Sequence, residues 1–340
     1  MLNRKKAVRI MSMILIGACL SGCGKGTKES LENSGSVSSN DMKEIGIVQI
    51  VQHEALDASN KGFVDALKEK GYEEGKNIEI EQQNAQGEMA NAQTICKQFA
   101  DSKKDLIFAI ATPTAQSAYN ATKEIPIVIT AVTDPVEAQI AKDWESSGTN
   151  VTGTSDKVPV DKQIELLKEL LPNAKTVGVI YNTSETNSVI QVNELKEAAE
   201  KQNLEVKEIG VTTVNEINQN LASALGGIDV LYTPTDNTVA SGYALVCKLC
   251  LDKNVPIIGA EEAVVNTGGL ASIGIDYYKL GQEAGLKAAE ILDGKKPSDI
   301  AITTLSEMSF TINTDTAEKL GITIPEDILK DAKKVTGGVN

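Results

Sequence analysis

The stretch DLIFAIATPTAQ, residues 105–116, shows how this chain is built. Asp105–Ile110 is almost wholly apolar, which is typical of a strand that is covered on both faces. Thr112-Pro113 follows at once and is interpreted as the N-cap and first residue of a helix that runs to about Lys123. A buried strand that leads directly into a capped helix is the repeating unit of a parallel α/β sheet.

The same alternation extends in both directions from this unit. Ile45–Val51 is a β-branched run, and Phe63 and Leu67 then mark a helix that stops at Gly71. The pattern restarts after Asn150. Strands are predicted at Asn77–Glu81, Pro126–Ala131, Thr176–Tyr181, Leu204–Ile209, Asp229–Tyr232, Pro256–Gly259, Leu270–Ile275 and Met308–Ile312. The sequence therefore predicts an α/β fold with two doubly wound parallel-sheet lobes joined by a hinge.

Composition excludes several classes of function. The 340 residues carry a formal net charge of −14, which argues against nucleic acid as a partner because phosphate binding needs a basic patch. The single histidine, His53, weakens any case for histidine catalysis. Neither a P-loop nor a G-x-S-x-G elbow occurs, and no metal-ligand cluster has usable spacing. The chain is thus expected to be no enzyme and to use no metal or cofactor.

The first residues have the pattern of an export signal. Arg4, Lys5, Lys6 and Arg9 precede the apolar run Ile10–Leu20, which is too short to span a bilayer. The run ends in Leu20-Ser21-Gly22-Cys23, which resembles the lipobox of bacterial lipoproteins. That resemblance implies cleavage before Cys23 and lipidation of this cysteine. The alternative is an ordinary signal peptide with a cysteine at this place by chance.

Two further segments complete the predicted organisation. Gly24–Lys43 is polar and has no periodicity, so it is interpreted as a flexible tether. Because the predicted lobes exchange their last elements, each is built from two stretches of the chain. The expected organisation is a signal peptide at 1–22, a lipidated cysteine and tether at 23–43, one lobe at 44–153 with about 276–300, and a second lobe at 154–275 with about 301–336. Loss of residues 1–22 removes four basic residues and no acid, which takes the net charge from −14 to −18.

The remaining cysteines favour a protein without disulfides. Cys96, Cys247 and Cys250 are odd in number. The Cys247-x-x-Cys250 pair could be redox-active or half of a metal site. It lies in an apolar helical stretch, Val239–Leu251, and has no second pair, so a buried structural role is preferred.

Polar residues follow several predicted strands at the point where each strand ends. Ligands of open α/β sheets bind beyond the carboxyl ends of the strands, so these residues are the candidates for a binding site. The start of the helix at Thr112 suits a carboxylate, and Asp236 could receive an ammonium group. Thr112, Asp134, Ser188 and Asp236 could equally be helix caps, as Asp57 and Ser59 are expected to be. Tyr181, Tyr232 and Tyr277 could stack on an apolar ligand or belong to the core. Glu261-Glu262 could be an acid pair, but it is interpreted as a helix start.

Taken together and in order, these segments resemble bacterial ABC-transporter substrate-binding proteins of the tryptophan/tyrosine type. The resemblance covers about residues 44–330. It is carried by Ile45–Ile50, His53–Asp57, Asn84–Gly87, Ala111–Gln116, Val132–Pro135, Asn150–Gly153, Gly178–Asn182, Glu185–Ser188, Pro234–Thr238 and Gly274–Tyr278.

The resemblance implies a type I periplasmic-binding fold that captures a small molecule between two lobes and delivers it to a membrane permease. An aromatic amino acid such as tyrosine, tryptophan or phenylalanine is the expected ligand, and the outer face of the cell membrane is the expected location. The implied ligand contacts are Thr112, Gln116, Asp134, Ser184, Glu185, Asn187, Ser188, Asp236, Asn237 and Asp276, the last of these near the hinge.

Two other functions stay open at this point. A lipoprotein with the same fold could act as a surface adhesin or signalling module that contacts a host surface. An exported enzyme is disfavoured because no nucleophile–base pair is evident. A cytosolic repressor is excluded by the export signal and by the absence of a basic helix-turn-helix before Ile45.

Overall fold

The structure is a computed structural model that describes residues 42–338. The predicted signal peptide, the predicted lipidated Cys23 and the tether up to residue 41 lie outside the described residues. Two sheets form the core, and each has helices on both faces.

The first sheet is wholly parallel and contains the strand that the opening stretch predicted. Its strands are β1 (Lys43–Gln49), β2 (Ile78–Asn84), β3 (Leu106–Ile110), β4 (Ile127–Thr130) and β5 (Val151–Gly153), in the order β2-β1-β3-β4-β5. The helices between them are α1 (Glu54–Glu69), α2 (Met89–Asp101) and α3 (Thr112–Ala121). Every residue of β3 and β4 is buried, because helices cover both faces of the sheet.

The second sheet has seven strands in the described chain, in the order β12-β11-β10-β9-β8-β6-β7. They are β6 (Thr176–Asn182), β7 (Glu205–Val211), β8 (Val230–Thr233), β9 (Ile257–Gly259), β10 (Ala271–Gly274), β11 (Ser309–Asn313) and β12 (Lys333–Val335). The helices that follow α3 are α4 (Val160–Leu170), α5 (Thr186–Lys201), α6 (Ile217–Ala224), α7 (Asn237–Ser241), α8 (Tyr243–Asp252), α9 (Glu262–Thr267), α10 (Tyr277–Leu292), α11 (Thr314–Leu320) and α12 (Glu326–Asp331). The α/β class is thus confirmed, with one antiparallel pair, β10 with β11, in an otherwise parallel arrangement.

Crossovers near the ends of β5 and β10 join the two sheets. Residues 154–159 lead from β5 to α4, residues 275–276 lead from β10 to α10, and residues 293–308 lead back to β11. Helix α10 packs on α1 of the first sheet, and this approach requires glycine. A Cβ at Gly62 would overlap the backbone of Tyr278, and one at Gly281 would overlap the Ser59 carbonyl group.

A buried lysine on α10 ties the end of β5 to the crossover at residues 293–308. The Lys287 ammonium group donates to the carbonyl oxygens of Gly153 and Ala301, at 2.7 and 2.8 Å, and to the Thr303 hydroxyl at 2.6 Å. Burial lowers the pKa of Lys287 to about 8. Neutral oxygen atoms, rather than a carboxylate, therefore hold this charge beside the crossovers.

Two predicted helix starts are wrong. Helix α3 begins at Thr112 with Ala111 as its N-cap, because Ala111 takes a φ of 85° and its carbonyl accepts the first helical hydrogen bond, from Ala115. Helix α1 begins at Glu54 after His53, since the Asp57 N–H already donates to the His53 carbonyl. Asp57 and Ser59 therefore lie inside α1 and do not cap it.

Two short strands escape the sequence patterns. Strands β5 and β12 have three residues each, which is too short to show a periodicity of two. Both are edge strands and form by pairing with neighbours that are distant in sequence.

Three further observations bear on function. No helix within residues 42–338 is long and apolar enough to cross a membrane. The same residues contain no cluster of His, Cys, Asp and Glu that could hold a metal ion. Cys96, Cys247 and Cys250 are buried and free, so the buried position predicted for the cysteine pair is confirmed. Burial raises the pKa of Cys96 and Cys247 to about 12, which keeps both thiols protonated.

Candidate functional site

The carboxyl ends of the two sheets face each other across a cleft. The loops after β1, β3 and β4 oppose the loops and helix starts after β6 and β8. Side-chain contacts between the edges include Thr133 Oγ1 to Thr235 Oγ1 at 3.2 Å, Gln116 Nε2 to Thr186 Oγ1 at 3.4 Å, and His53 Nε2 to Asn237 Oδ1 at 3.5 Å. The strand-end residues that the sequence singled out are therefore brought together by the topology, as parallel sheets require.

Asp236 organises the second sheet's side of the cleft. It is fully buried, and its carboxylate accepts hydrogen bonds from the backbone N–H of Val239 at 2.8 Å, the N–H of Asn182 at 2.5 Å and the Ser188 hydroxyl at 2.6 Å. The predicted capping role of Asp236 is thus confirmed. Burial and the nearby charge of Glu185 raise the pKa of Asp236 to about 7.

Glu185 forms the second centre of this network. One of its oxygens accepts from the N–H and hydroxyl of Thr238, at 3.2 and 3.0 Å. The other accepts from the side-chain amides of Asn187 and Asn237, at 3.1 and 2.5 Å. Helices α5 and α7 consequently begin at one hydrogen-bonded cluster rather than at two separate caps.

The other predicted contacts take various places around the cleft. Asp134 closes its own turn by accepting from the Val136 N–H at 3.0 Å and pairs with Lys157 at 2.9 Å. Ser184 is exposed and donates to Asn182. Asp276 is half-buried on a crossover and caps α10.

Three buried oxygen atoms at the strand ends form no hydrogen bond with residues 42–338. They are Thr112 Oγ1 on the first sheet's side, and Asn187 Oδ1 and Thr233 Oγ1 on the second sheet's side. A buried polar atom without a partner costs about 1–3 kcal/mol. A polar ligand in the cleft would offset this cost, so Thr112 and Asn187 are the predicted contacts with the clearest need of one.

His53 lies at the edge of the cleft. The half-buried ring lies at the start of α1, with Nε2 near Asn237. Burial lowers the pKa of His53 to about 4, so the imidazole is neutral near pH 7.

The three tyrosines all belong to the buried cores of the two lobes, and their hydroxyl groups have different partners. Tyr232 is fully buried in the core and donates to Gln163 at 2.5 Å, and Tyr181 donates to Glu208 at 2.5 Å at the β6–β7 edge of the sheet. Tyr277 lies on a crossover, where its hydroxyl donates to Asp156 at 2.8 Å.

The sequence reasoning missed a cluster of buried acids and tyrosines beside the crossovers. Asp156 accepts from Tyr277 and from the Thr133 hydroxyl, the latter at 3.1 Å, and burial raises the pKa of Asp156 to about 6. Glu261 accepts from the Tyr243 hydroxyl at 3.3 Å. Burial, with the charges of Asp156 and Asp236, raises the pKa of Glu261 well above its usual range.

The amino-acid composition contains one feature that could have pointed to this acidic cluster. The sequence has no arginine after Arg9. In the described chain no lysine lies within ion-pair distance of Asp156, Glu185, Asp236 or Glu261, although all four are buried. The floor of the cleft is therefore acidic, which favours a cationic group on a ligand. A ligand carboxylate would have to be held by N–H groups and hydroxyls instead of a guanidinium group.

The fold and the cleft define a class: a two-lobed binding protein of the periplasmic type, with its site between the sheets. A family model described as ABC transporter substrate binding protein matches residues 44–336. The chain belongs to this family and is thus the extracytoplasmic substrate-binding component of an ABC transporter.

Individual relatives agree with this assignment. A tyrosine-binding protein of Clostridioides difficile (strain R20291) is 50% identical over 321 residues, which is 93% of either chain. The crystal structure of an ABC domain in complex with L-Trp from Streptococcus pneumonia is 40% identical, with a TM-score of 0.84 over 86% of this chain and 99% of that one. The ligand-free, open structure of a substrate-binding protein with adhesive properties from Clostridium difficile is 50% identical, with a TM-score of 0.66 over 87% and 99%.

Proposed function

We propose that this protein is a lipid-anchored receptor that captures an aromatic amino acid between its two lobes and hands it to an ABC permease. The observation that carries the proposal is the pair of facing strand-end clusters, with unpartnered oxygens at Thr112 and Asn187 above an acidic floor. A zwitterion matches this arrangement because its two charged groups need opposite surroundings. The tyrosine-binding relative and the L-Trp complex support an aromatic side chain.

The predicted contacts remain part of this proposal: Thr112, Gln116, Asp134, Ser184, Glu185, Asn187, Ser188, Asp236, Asn237 and Asp276. The start of α3 would receive the ligand carboxylate, since its first N–H groups have no helical acceptor. The ammonium group would face the acids of the second sheet.

Hinge closure is the proposed mechanism. The lobes, bounded as predicted from the sequence, would rotate about the crossovers, one of which Lys287 ties to the end of β5. The comparisons support an open and a closed arrangement of one fold. The open structure superposes less well on this protein than the L-Trp complex does, although it is 50% identical and the complex only 40%. A ligand drives closure only if it binds the closed form more tightly than the open form.

Calorimetry with each of the twenty amino acids tests the ligand. We expect saturable binding of tyrosine, tryptophan or phenylalanine and none of aspartate or lysine. Thr112→Val, which removes the unpartnered hydroxyl and keeps the shape, should weaken that binding by about tenfold. Absence of aromatic amino-acid binding by the wild-type protein would rule out this ligand class.

The lipid anchor is tested separately. Mass spectrometry of the exported protein should find acyl chains on Cys23, and Cys23→Ala should move the protein from the membrane fraction to the medium. An unmodified Cys23 in a correctly exported chain would contradict the anchor.

Adhesion is the second candidate function, and the adhesive Clostridium difficile relative favours it. A variant that no longer binds the amino acid but still attaches to host cells would separate adhesion from transport. We also propose that the protein is not an enzyme, so any bound amino acid should be recovered unchanged after long incubation.

A further inference from the structure

The single histidine of the chain lies where the edges of the two sheets meet. His53 directly precedes α1, and its Nε2 lies 3.5 Å from Oδ1 of Asn237, the first residue of α7 on the other side of the cleft. The next residue, Glu54, accepts from the side-chain amide of Asn266 on α9 at 3.0 Å. The start of α1 thus contacts two helices of the second sheet, so separation of the sheets would expose the imidazole ring to water.

The partners of Asn237 determine which ring nitrogen of His53 carries the proton. The Asn237 side-chain amide donates to the Glu185 carboxylate at 2.5 Å, which leaves its Oδ1 to face the imidazole as an acceptor. Nε2 of His53 must then carry the ring proton, and Nδ1 has only a lone pair. This Nδ1 atom is buried and forms no hydrogen bond with residues 42–338. A second proton on Nδ1 would have no acceptor there, so the closed arrangement of the sheets selects the neutral ring.

The charged groups around the ring do not reverse this preference. Titratable side chains on the elements packed near His53 are Glu54 and Asp57 on α1, Glu185 before α5, Asp236 before α7, Tyr243 on α8 and Glu262 on α9. Asp57 raises the pKa of His53, but its carboxylate already accepts from the side-chain amides of Gln49 and Gln52, at 2.8 and 3.3 Å. Burial has the larger effect and lowers the pKa of His53 to about 4.

Separation of the sheets would change the environment of this ring. When α1 moves away from α7 and α9, water reaches both ring nitrogens, and the imidazole regains an ordinary pKa of about 6.5. Between about pH 4 and about pH 6.5, the open form then holds a proton that the closed form lacks. Closure must release this proton, so closure is strongest above about pH 6.5 and weakens as the pH falls.

We propose that His53 makes closure of the cleft dependent on pH, so that the protein holds its ligand near neutral pH and releases it in acid. The inference concerns regulation of the amino-acid site and rests on the hinge closure of the proposed function. At about pH 5 the open form should gain about thirtyfold over the closed form from His53 alone.

The buried acids of the cleft add a pH dependence of the same sign, so the wild-type protein by itself cannot isolate His53. Burial raises the pKa of Asp156 to about 6 and, with the charge of Glu185, that of Asp236 to about 7. A ligand ammonium group would displace protons from these carboxyl groups, which also weakens binding in acid. The contribution of His53 is therefore the difference between the wild type and a variant that does not titrate at this position.

Calorimetry of L-tryptophan binding by the full exported chain, at about pH 7.5 and about pH 5, measures this difference. His53→Gln keeps an N–H that can reach Asn237 Oδ1 but has no titration in this range. We expect its affinity to agree with the wild type within about threefold at the higher pH and to exceed it by at least about tenfold at the lower pH. The matched control is Glu54→Gln, whose new amide oxygen can still accept from Asn266. Its affinity should follow the wild type within about twofold at both pH values.

Spin labels test the same idea without a ligand. Cysteines in place of Lys97 on α2 and Lys248 on α8, both exposed, carry labels whose separation reports the distance between the sheets. The fraction of short distances should fall between about pH 7.5 and about pH 5 with His53 present and stay constant with His53→Gln.

Equal pH profiles of L-tryptophan affinity in the wild type and His53→Gln would overturn the proposal. In a protein that binds no aromatic amino acid, equal distance distributions of the two labelled proteins at about pH 5 would overturn it as well. Distances that depend on His53 in such a protein would support the pH-dependent closure and refute the proposed ligand class alone.

Discussion

Single buried acids dominate the electrostatics of this protein at the residue scale. Asp156 is buried beside Tyr277 and Thr133, and neither neighbour carries a positive charge. Its two hydrogen bonds stabilise the carboxylate, but burial outweighs them, so the pKa of Asp156 rises to about 6. The ligand-free protein therefore binds a proton here at a pH at which the unfolded chain has already lost it.

This raised pKa predicts a pH dependence of stability. Between the ordinary pKa of about 4 and the folded value of about 6, the folded state holds more protons than the unfolded state, so stability falls as pH rises. The loss is complete above the folded pKa and is on the order of 2–3 kcal/mol. Asp156→Asn, in which the Tyr277 hydroxyl can accept from the amide, should abolish this contribution. Urea unfolding of both proteins without ligand, across this pH range, measures it, and parallel curves would contradict the assignment.

Replacing Asp236 should lower the stability of the protein, because its carboxylate is the acceptor for several of the protein's own N–H and hydroxyl groups. Asp236→Ala leaves the N–H of Asn182 and the hydroxyl of Ser188 without their acceptor and removes the cap of α7. We expect a loss of about 3 kcal/mol in the free energy of unfolding without ligand. Ser184→Ala, which changes an exposed hydroxyl in the same network, should cost less than about 0.5 kcal/mol. A fall in ligand affinity with unchanged stability would instead make Asp236 a ligand contact only.

At the scale of elements, the packing of α10 on α1 brings residues 277–292, which follow β10 of the second sheet, onto the first sheet. The helices approach so closely that Gly62 and Gly281 have no room for a side chain. Gly285 lies four residues after Gly281, and a Cβ there would overlap the backbone of Phe63 in the same way. Small residues at a spacing of four produce a flat stripe on α10, which allows this approach.

Gly281→Ala tests this packing. The added methyl group would overlap the Ser59 carbonyl, so the helices must separate, and we expect a loss of about 3 kcal/mol in stability. Gly226→Ala is the matched control, because a Cβ there meets nothing within 4 Å. Chemical denaturation of both variants gives the comparison. Equal stability of the two would show that α10 shifts at little cost.

At the scale of the whole molecule, the two sheets form largely separate units. Each sheet has its own core, and short crossovers connect them. The cleft contacts between the edges are few and polar, whereas the cores are apolar. Such contacts separate at small cost, which suits a protein that must open to release its ligand.

A disulfide across the cleft tests the need for opening. The hydroxyl oxygens of Thr133 and Thr235 lie 3.2 Å apart, so cysteines at both positions should be close enough to bond. The oxidised Thr133→Cys/Thr235→Cys protein, closed without ligand, should no longer take up ligand in stopped-flow fluorescence. Reduction should restore uptake, and either single variant serves as the control. Uptake at the wild-type rate by the oxidised protein would show that the cleft need not open.

Much of the fold follows from the sequence alone. Runs such as Asp105–Ile110 and Ile45–Val51 carry the strand signal within a few adjacent residues, so they could be predicted as buried parallel strands. The order of these runs predicts two doubly wound lobes, and the strand ends could be named as site candidates because parallel topology places them at one edge.

Tertiary structure alone decided which of those candidates need a partner. Asp236 accepts hydrogen bonds from groups on β6 and α5, whereas the Thr112 hydroxyl, on the opposite side of the cleft, has no partner within residues 42–338. Asp156 and Glu261 lie 105 positions apart in the sequence and carry no local motif, yet the crossovers bring both to Tyr277. The physical reason is that periodicity and capping are short-range properties of the chain. Burial, charge balance and hydrogen-bond satisfaction instead depend on neighbours that are distant in sequence and close only in the folded protein.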